Sequence, residues 1–254
     1  MQDDTKSSES SSPATSISQF EYASMIRSAC EKDMEAIIEV EMTSFPHVYT
    51  DSDGLADCRR RELERGYPCY RILTAGSEFS GRREIHGFVI LESYLRSYRE
   101  YRDAGTGEKL ILPANRPPDK KPAYSILMAA IRADPALLRE EFLFVSEICI
   151  HPHARARGNG TRLMRHIVDV ADVLAVKIIA LVEGSVSDAA RQWTVDEAEE
   201  VNAVELTALR KGEQRTTMSF FSKLGFRKRA HFFWGRRGCA IPKIFYVMQY
   251  PANI

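Results

Sequence analysis

The chain has 254 residues, 44% hydrophobic and 9% aromatic, enough apolar mass for one large domain or two small ones. Lys plus Arg and Asp plus Glu number 35 each, so no overall field gathers nucleic acid or an anionic membrane surface. Cys30, Cys58, Cys69, Cys149 and Cys239 are scattered without paired spacing, which excludes a disulfide framework or a zinc ribbon and predicts a reducing, cytoplasmic setting.

Met1 to Ser18 is Ser-rich and acidic, with neither a basic start nor an apolar run, and reads as a disordered tail before a single domain over residues 19–254. Tyr22 to Arg27 predicts a strand. Glu31 to Phe45, with Met34, Ile37, Ile38, Met42 and Phe45 at helical spacing, predicts a helix that Pro46 stops. A polar helix is expected over Ser52 to Arg65, its Arg59-Arg60-Arg61 run forming a solvated face. Cys69 to Thr74 and Ile85 to Leu91 predict two hairpin strands. Patterning fails from Tyr94 to Glu141, apart from a short apolar helix near Tyr124 to Arg132, so residues 94–141 are read as an insertion. No apolar stretch reaches the roughly 20 residues of a membrane span.

Phe142 to Ile150 is an apolar strand, followed by Arg155-Ala156-Arg157-Gly158-Asn159-Gly160 and a helix from Thr161 to about Ala175. Leu163, Met164, Ile167, Val168, Ala171 and Leu174 line one side of that helix, and Arg162, Arg165, His166, Asp169 and Asp172 the other. Val176 to Val182 completes a β-α-β unit. Residues 185–216 form a second polar insertion carrying a surface helix. The chain closes with Thr217 to Phe226 and strands near Ala230 to Trp234 and Ile244 to Tyr250.

The glycine-containing turn carries the first chemical signal. Backbone N–H groups from such a turn and from the first turn of the following helix converge where the helix dipole adds positive charge, so an anion settles there. Gly158 and Gly160 remove side chains that would keep a diphosphate from the backbone, and Arg155 and Arg157 add charge nearby. A dinucleotide fingerprint would need glycine where Leu163 stands, and a Walker loop needs Gly-Lys-Ser/Thr, which is absent.

Arg155, Gly158 and Gly160 match Arg/Gln-x-x-Gly-x-Gly/Ala, Glu147 to Pro152 precedes them as a strand, and Phe220 to Phe226 is similar to Phe-Tyr-x-Lys-x-Gly-Phe. In these three ordered motifs the chain resembles the GNAT superfamily of N-acetyltransferases, over Tyr22 to Tyr250 with both insertions outside the likeness. The resemblance implies an α/β (α+β) fold with a mixed, mostly antiparallel central sheet flanked by helices. It implies acetyl-CoA as co-substrate, with no metal. The pantetheine arm would pair with the backbone of Ile148, Cys149 and Ile150, where the family's fourth and fifth strands splay apart. The N–H groups of Ala156, Arg157, Gly158, Asn159, Gly160 and Thr161 would hold the pyrophosphate, with Arg155 beside them.

Acetyl transfer needs an acceptor for the ammonium proton and a fate for the thiolate. Glu147 is the candidate base, lying in the strand beside the expected thioester. The family's thiolate-protonating tyrosine would fall at Phe221, which has no proton to give, so Tyr246, His231 and Ser219 are weighed in its place. A non-catalytic acetyl-CoA sensor or scaffold is the alternative that Phe221 suggests. His151 and His153 find no third metal ligand nearby in the sequence and read as loop residues. Cys149 reads as packing. A small-molecule amine or peptide acceptor is expected between Phe45 to Asp53 and Ala230 to Tyr246, with Phe232, Phe233 and Trp234 as candidate wall residues and neither nucleic acid nor membrane as partner.

Overall fold

The structure is a computed structural model that describes residues 25–44, 52–65, 68–75, 84–114, 125–183, 213–234 and 243–251. The expected tail, the loop from Phe45 to Asp51 and nearly all of the second insertion lie outside these residues, and Phe233 and Trp234 are described by backbone alone.

Strand β3 (Glu84–Tyr94) organises the fold, because both of its faces are apolar. Phe88 and Ile90 pack with Ile37 and Val40 of helix α1 (Met34–Ser44). Val89 and Leu91, one residue out of phase, pack with Leu163, Met164 and Ile167 of helix α4 (Asn159–Leu174). The two helices thus cover opposite faces of one sheet. Its other strands are β1 (Met25–Ser28), β2 (Cys69–Ala75), β6 (Phe142–Ile150), β7 (Lys177–Glu183), β8 (Arg227–Trp234) and β9 (Lys243–Tyr250). The order is β1-β2-β3-β6-β7-β9-β8, antiparallel throughout except for β6 and β7, which the α4 crossover joins in parallel. Helix α2 (Ser52–Arg65), with the expected bounds, lies beside α1, and α5 (Glu213–Lys223) precedes β8.

The segment from Tyr94 to Glu141 has more order than its sequence pattern indicates. Arg99–Arg102 and Lys109–Leu112 pair as a hairpin, β4 and β5. The turn between them is closed by Asp103, whose carboxylate accepts from the Gly105 and Thr106 N–H groups. Tyr101, Leu110 and Leu112 of that hairpin are buried in the α4-side core. Helix α3 (Ser125–Ala133) buries Leu127, Ala130 and Ile131 against Phe142, Phe144, Phe232 and Val247 on the α1 side of the sheet. The hairpin also corrects the expected outer face of α4. His166 is 8% exposed, accepts from Arg71 Nε at 3.2 Å and has Asp103 at 3.6 Å. Burial, and then the Arg71 charge, push its pKa down to about 4.

Two departures from regular pairing shape the middle of the sheet. β6 and β7 pair from Phe142↔Lys177 to Val145↔Ala180 and no further, although β6 stays paired to β3 as far as Ile150 and β7 to β9 as far as Glu183. The two parallel strands therefore part, leaving a slot between Ser146 to Ile150 and Leu181 to Glu183. The second departure is a bulge. Leu91 faces Val145 but Ile90 faces Glu147, so Ser146 is an extra residue in β6. Strict alternation from Val145 would point Glu147 toward α4; the bulge turns it onto the α1 side with Ile90 and Cys149.

Candidate active site

The slot opens toward the glycine turn. After β6, Pro152–Ala154 forms a short 3-10 turn with Ala154 fully buried, and Arg155 donates from Nε to the Ile150 carbonyl at 3.0 Å. Ala156 has φ 59° and Gly158 φ 79°, both in the left-handed region. Asn159 Nδ2 ties the turn back to the Ala154 carbonyl at 2.9 Å. α4 then begins two residues earlier than its sequence pattern indicates, with Gly158 as N-cap and no acidic residue in the first turn. A Cβ on Gly158 would meet nothing within 4 Å, and one on Gly160 would touch Ile150 and Phe220 at 3.6 Å. The turn is thus an open, backbone-lined concavity flanked by exposed Arg155 and Arg157. Helix dipole and oriented N–H groups together suit it to an anion.

Ile148 and Ile150 lean on the α4-side core while Cys149 is buried on the α1 side, leaving their backbone at the slot. Thr161 is half-buried in the first turn of α4. Phe221 is 3% exposed and packs edge-on against Phe220 and Phe226 at 5.2 and 5.1 Å between ring centres. It is a core residue, and Phe220 is the ring that reaches Gly160. Tyr246 is 5% exposed on β9, opposite Val182, with Lys228 Nζ 4.2 Å from its ring centre. Ser219 and His231 are exposed. Phe232 stacks on Phe245 in the core beside α3.

The α1 side of the slot holds a polar network that the sequence pattern does not announce. Arg59, in the run read as solvated, is only 6% exposed, which corrects that reading; Arg60 keeps to the surface, pairing with Asp57 at 2.8 Å. All five N–H donors of Arg59 are used. Nε donates to Glu41 Oε2 at 2.9 Å, and Nη2 to Glu41 Oε1 and, at 2.9 Å, to Glu147 Oε2. Nη1 donates to Glu62 Oε2 at 2.9 Å and to the Tyr70 hydroxyl at 3.0 Å. Tyr70 in turn donates to Glu62. Glu147 Oε1 accepts from Cys149 Sγ at 3.0 Å, and burial pushes that thiol's pKa well up, in keeping with a packing role.

One guanidinium thus faces three carboxylates in a water-poor setting. Arg59 is held charged, its hydrogen bonds to Glu41 and the Glu147 charge outweighing burial. Glu147, with 17% of its side chain exposed, is pushed up to about 7, chiefly by burial and then by Glu41, with Arg59 opposing. The residues that sequence reasoning passed over had a signal. Leu55, Arg59 and Leu63 recur at four-residue spacing, as do Ile37 and Glu41, so Arg59 and Glu41 each stand on an apolar face.

His151 and His153 lie in the turn after β6, as expected, and two residues of β3 approach that turn from across the sheet. Glu84 and His86 of β3 come to His153: its Nε2 lies 2.6 Å from Glu84 Oε1, and His86 Nε2 lies 3.7 Å from Glu84 Oε2. The third and fourth polar groups missing from the local sequence are supplied across the sheet. At the other end of the molecule, Arg229 of the basic Arg227-Lys228-Arg229 run is paired with Asp134 and Glu140.

No protein-family profile and no curated protein sequence matches the chain. Among solved structures, Arabidopsis thaliana NAA60 in complex with acetyl-CoA is similar at 14% identity and a TM-score of 0.48, over 89% of this chain and 97% of that one. The ribosomal-protein-S18-alanine N-acetyltransferase from Escherichia coli aligns at 11% identity and a TM-score of 0.45, over 91% and 95%. An IAA acetyltransferase from Bacillus cereus aligns at 12% identity and a TM-score of 0.44, over 89% and 98%.

Proposed function

We propose that residues 19–254 form a GNAT-type N-acetyltransferase domain that moves an acetyl group from acetyl-CoA to a primary amine of a small molecule or peptide. The observation that carries this reading is the slot between β6 and β7, which ends at the backbone-lined concavity of residues 155–161 and has Glu147 on its margin. An extended, amide-bearing arm fits, as an added strand, the edge of Ser146 to Ile150 that β7 leaves unpaired, with the Ile150 carbonyl already taken by Arg155. A diphosphate at its end fits the concavity, where a side chain at residue 158 or 160 would obstruct it.

Glu147 is the general base. Ionised, it takes a proton from the acceptor's ammonium; the freed nitrogen forms a bond to the acetyl carbonyl carbon, the C–S bond breaks with its electron pair leaving on the CoA sulfur as thiolate, and the acylated nitrogen releases its second proton to water, which leaves a neutral amide. A carboxylate raised to about 7 is a far better match to this proton than one at its ordinary value, since general catalysis is most effective when the pKa lies near the working pH. Arg59 fixes its orientation through Oε2. The surplus negative charge of Glu41, Glu62 and Glu147 favours a cationic acceptor on the α1 side. Phe221 donates no proton, so the thiolate, a weak base, departs unaided.

The test is calorimetric titration with acetyl-CoA and then CoA, followed by thiol release against a panel of amines and peptides. Binding together with amine-dependent thiol release is expected. Binding without release from any acceptor overturns the enzyme reading in favour of a sensor, and absence of binding overturns both.

A further inference from the structure

We propose that Glu84, His86 and His153 form a binding site for a divalent transition-metal ion of the zinc class. Glu84 and His86 are two apart on β3 and so project from the same face of the strand. His153 arrives from the turn that follows β6. The fold forces the meeting. β3 and β6 remain paired to Gly87↔Ile150, and His151 N–H donates to the His86 carbonyl at 2.9 Å, closing that end of the ladder. A Cβ on Gly87 would lie 2.5 Å from the Cys149 carbonyl oxygen, so only glycine allows the strands so close beside His86. Pro152 and the fully buried Ala154 pin the turn on either side of His153.

Two imidazoles and a carboxylate make a recurrent zinc donor set, leaving a fourth position for water. Each of the three residues offers one ligand atom, and all three atoms lie within 4.8 Å of one another; His153 Nε2 is 2.6 Å from Glu84 Oε1 and His86 Nε2 3.7 Å from Glu84 Oε2. Ligand atoms bound at ~2.0–2.2 Å in a tetrahedral arrangement stand ~3.3–3.6 Å apart. The observed spacings bracket that value, so side-chain adjustments of about an ångström complete the site. The His86 side chain is 17% exposed, His153 43% and Glu84 59%, which leaves an entry path from solvent. The ring of His151, 4.0 Å from that of His153, and the edge-on His86 ring at 5.6 Å restrict the rotation of the ligand imidazoles. An ion there clips the start of β3 to the turn from which the anion-binding loop departs, two residues before Arg155. The site stands whether or not the chain transfers acetyl groups.

Chelator-treated, untagged full-length protein is titrated with Zn(II) by calorimetry and with Co(II) by visible absorption. One equivalent of each metal is expected to bind, the cobalt spectrum showing ligand-field bands without thiolate charge transfer. His86→Ala and His153→Ala are each expected to weaken Zn(II) binding by about tenfold or more, and Glu84→Gln to weaken it in the same direction. His231→Ala, remote from the cluster, is expected to bind as the parent does. Metal-free melting temperatures are compared throughout so that loss of fold is not read as loss of ligand. No saturable binding overturns the proposal, as does binding that survives both histidine substitutions. A thiolate charge-transfer band, placing the ion on cysteine, overturns it equally.

Discussion

The two sides of the slot between β6 and β7 are built from different materials. The side proposed to hold the diphosphate is here the phosphate side, and the side proposed to carry the reaction is the chemical side. On the phosphate side the groups are backbone N–H donors of a continuous stretch from Arg155 to Thr161. On the chemical side they are side chains of α1, α2, β2 and β6, with Arg59 binding Glu41, Glu62, Tyr70 and Glu147 into one network. A backbone device tolerates most side-chain changes and fails when a single glycine is filled. A side-chain network fails by degrees, and its failure costs the fold as well as the chemistry.

The sharpest way to break the phosphate side is Gly158→Asp. Asp tolerates the left-handed conformation that Gly158 adopts at φ 79°, so the backbone is retained while a carboxylate enters the concavity. Like charges brought together there cost several kcal/mol, and CoA affinity measured by calorimetry is expected to fall on the order of 10³-fold. Gly158→Asn, the same shape without the charge, is expected to lose affinity through bulk alone and so to lose less, the difference between the two variants measuring the charge. Equal losses in both would mean that side-chain bulk, not charge, governs the site.

Arg59→Met is expected to have the next largest effect, and to act on stability. Removing one partner of a buried ion pair costs about 3–5 kcal/mol because the other is left uncompensated, and here the Glu41 side chain is fully buried. Denaturant unfolding checks this. Combining Arg59→Met with Glu41→Gln is expected to recover part of the loss, since the stranded charge is then gone; no recovery would mean that Arg59 contributes by packing alone.

Glu147→Gln separates chemistry from architecture. Loss of a general base typically costs ~10²–10⁴ in rate, and kcat is expected to fall within that range while acetyl-CoA affinity is unchanged. The pH profile follows from the raised pKa: the proposed base is active only when ionised, so kcat/KM of the parent is expected to rise with pH through about 7. The residual activity of the variant is expected to lose that step. A step that persists in Glu147→Gln would move the role of base to another group.

These two sides were unequally legible in the sequence for the same reason that they differ physically. The turn, the strand before it and the amphipathic helix after it are consecutive, so spacing alone predicts the strand, glycine turn and helix from which the proposed anion cradle is built. Helix α2 and strand β6 could likewise be bounded from their patterns, Ser52–Arg65 and Phe142–Ile150. The slot follows from where parallel pairing stops, and the direction of Glu147 from one extra residue at Ser146. Neither leaves a local mark. Arg59 was hidden by its neighbours, because three consecutive arginines on a polar helix resemble a solvated face until Leu55 and Leu63 show which of them turns inward. Glu84 and His86 could be joined to His153 only by knowing the register of β3 on β6.

Glu92 supplies the smallest and most discriminating contrast, a second carboxylate raised to about 7 that is not among the hydrogen-bond partners of Arg59. It is 3% exposed on β3 and accepts from the Tyr94 hydroxyl at 2.8 Å through Oε2. Burial, the largest cause, raises it from 4.5 to about 7. Below 4.5 the carboxyl is protonated in folded and unfolded chains alike. As pH rises from there the unfolded chain gives up its proton first, so stability falls until the folded group also ionises near 7, a total of ~3 kcal/mol. Glu92→Gln cannot ionise. Its stability advantage over the parent is therefore expected to grow from pH 5 to pH 8 toward that value, as measured by urea unfolding, while kcat stays within about twofold. A large loss of kcat in Glu92→Gln would show that the slot's chemistry depends on both carboxylates, and that the raised pKa of Glu147 does not by itself mark the base.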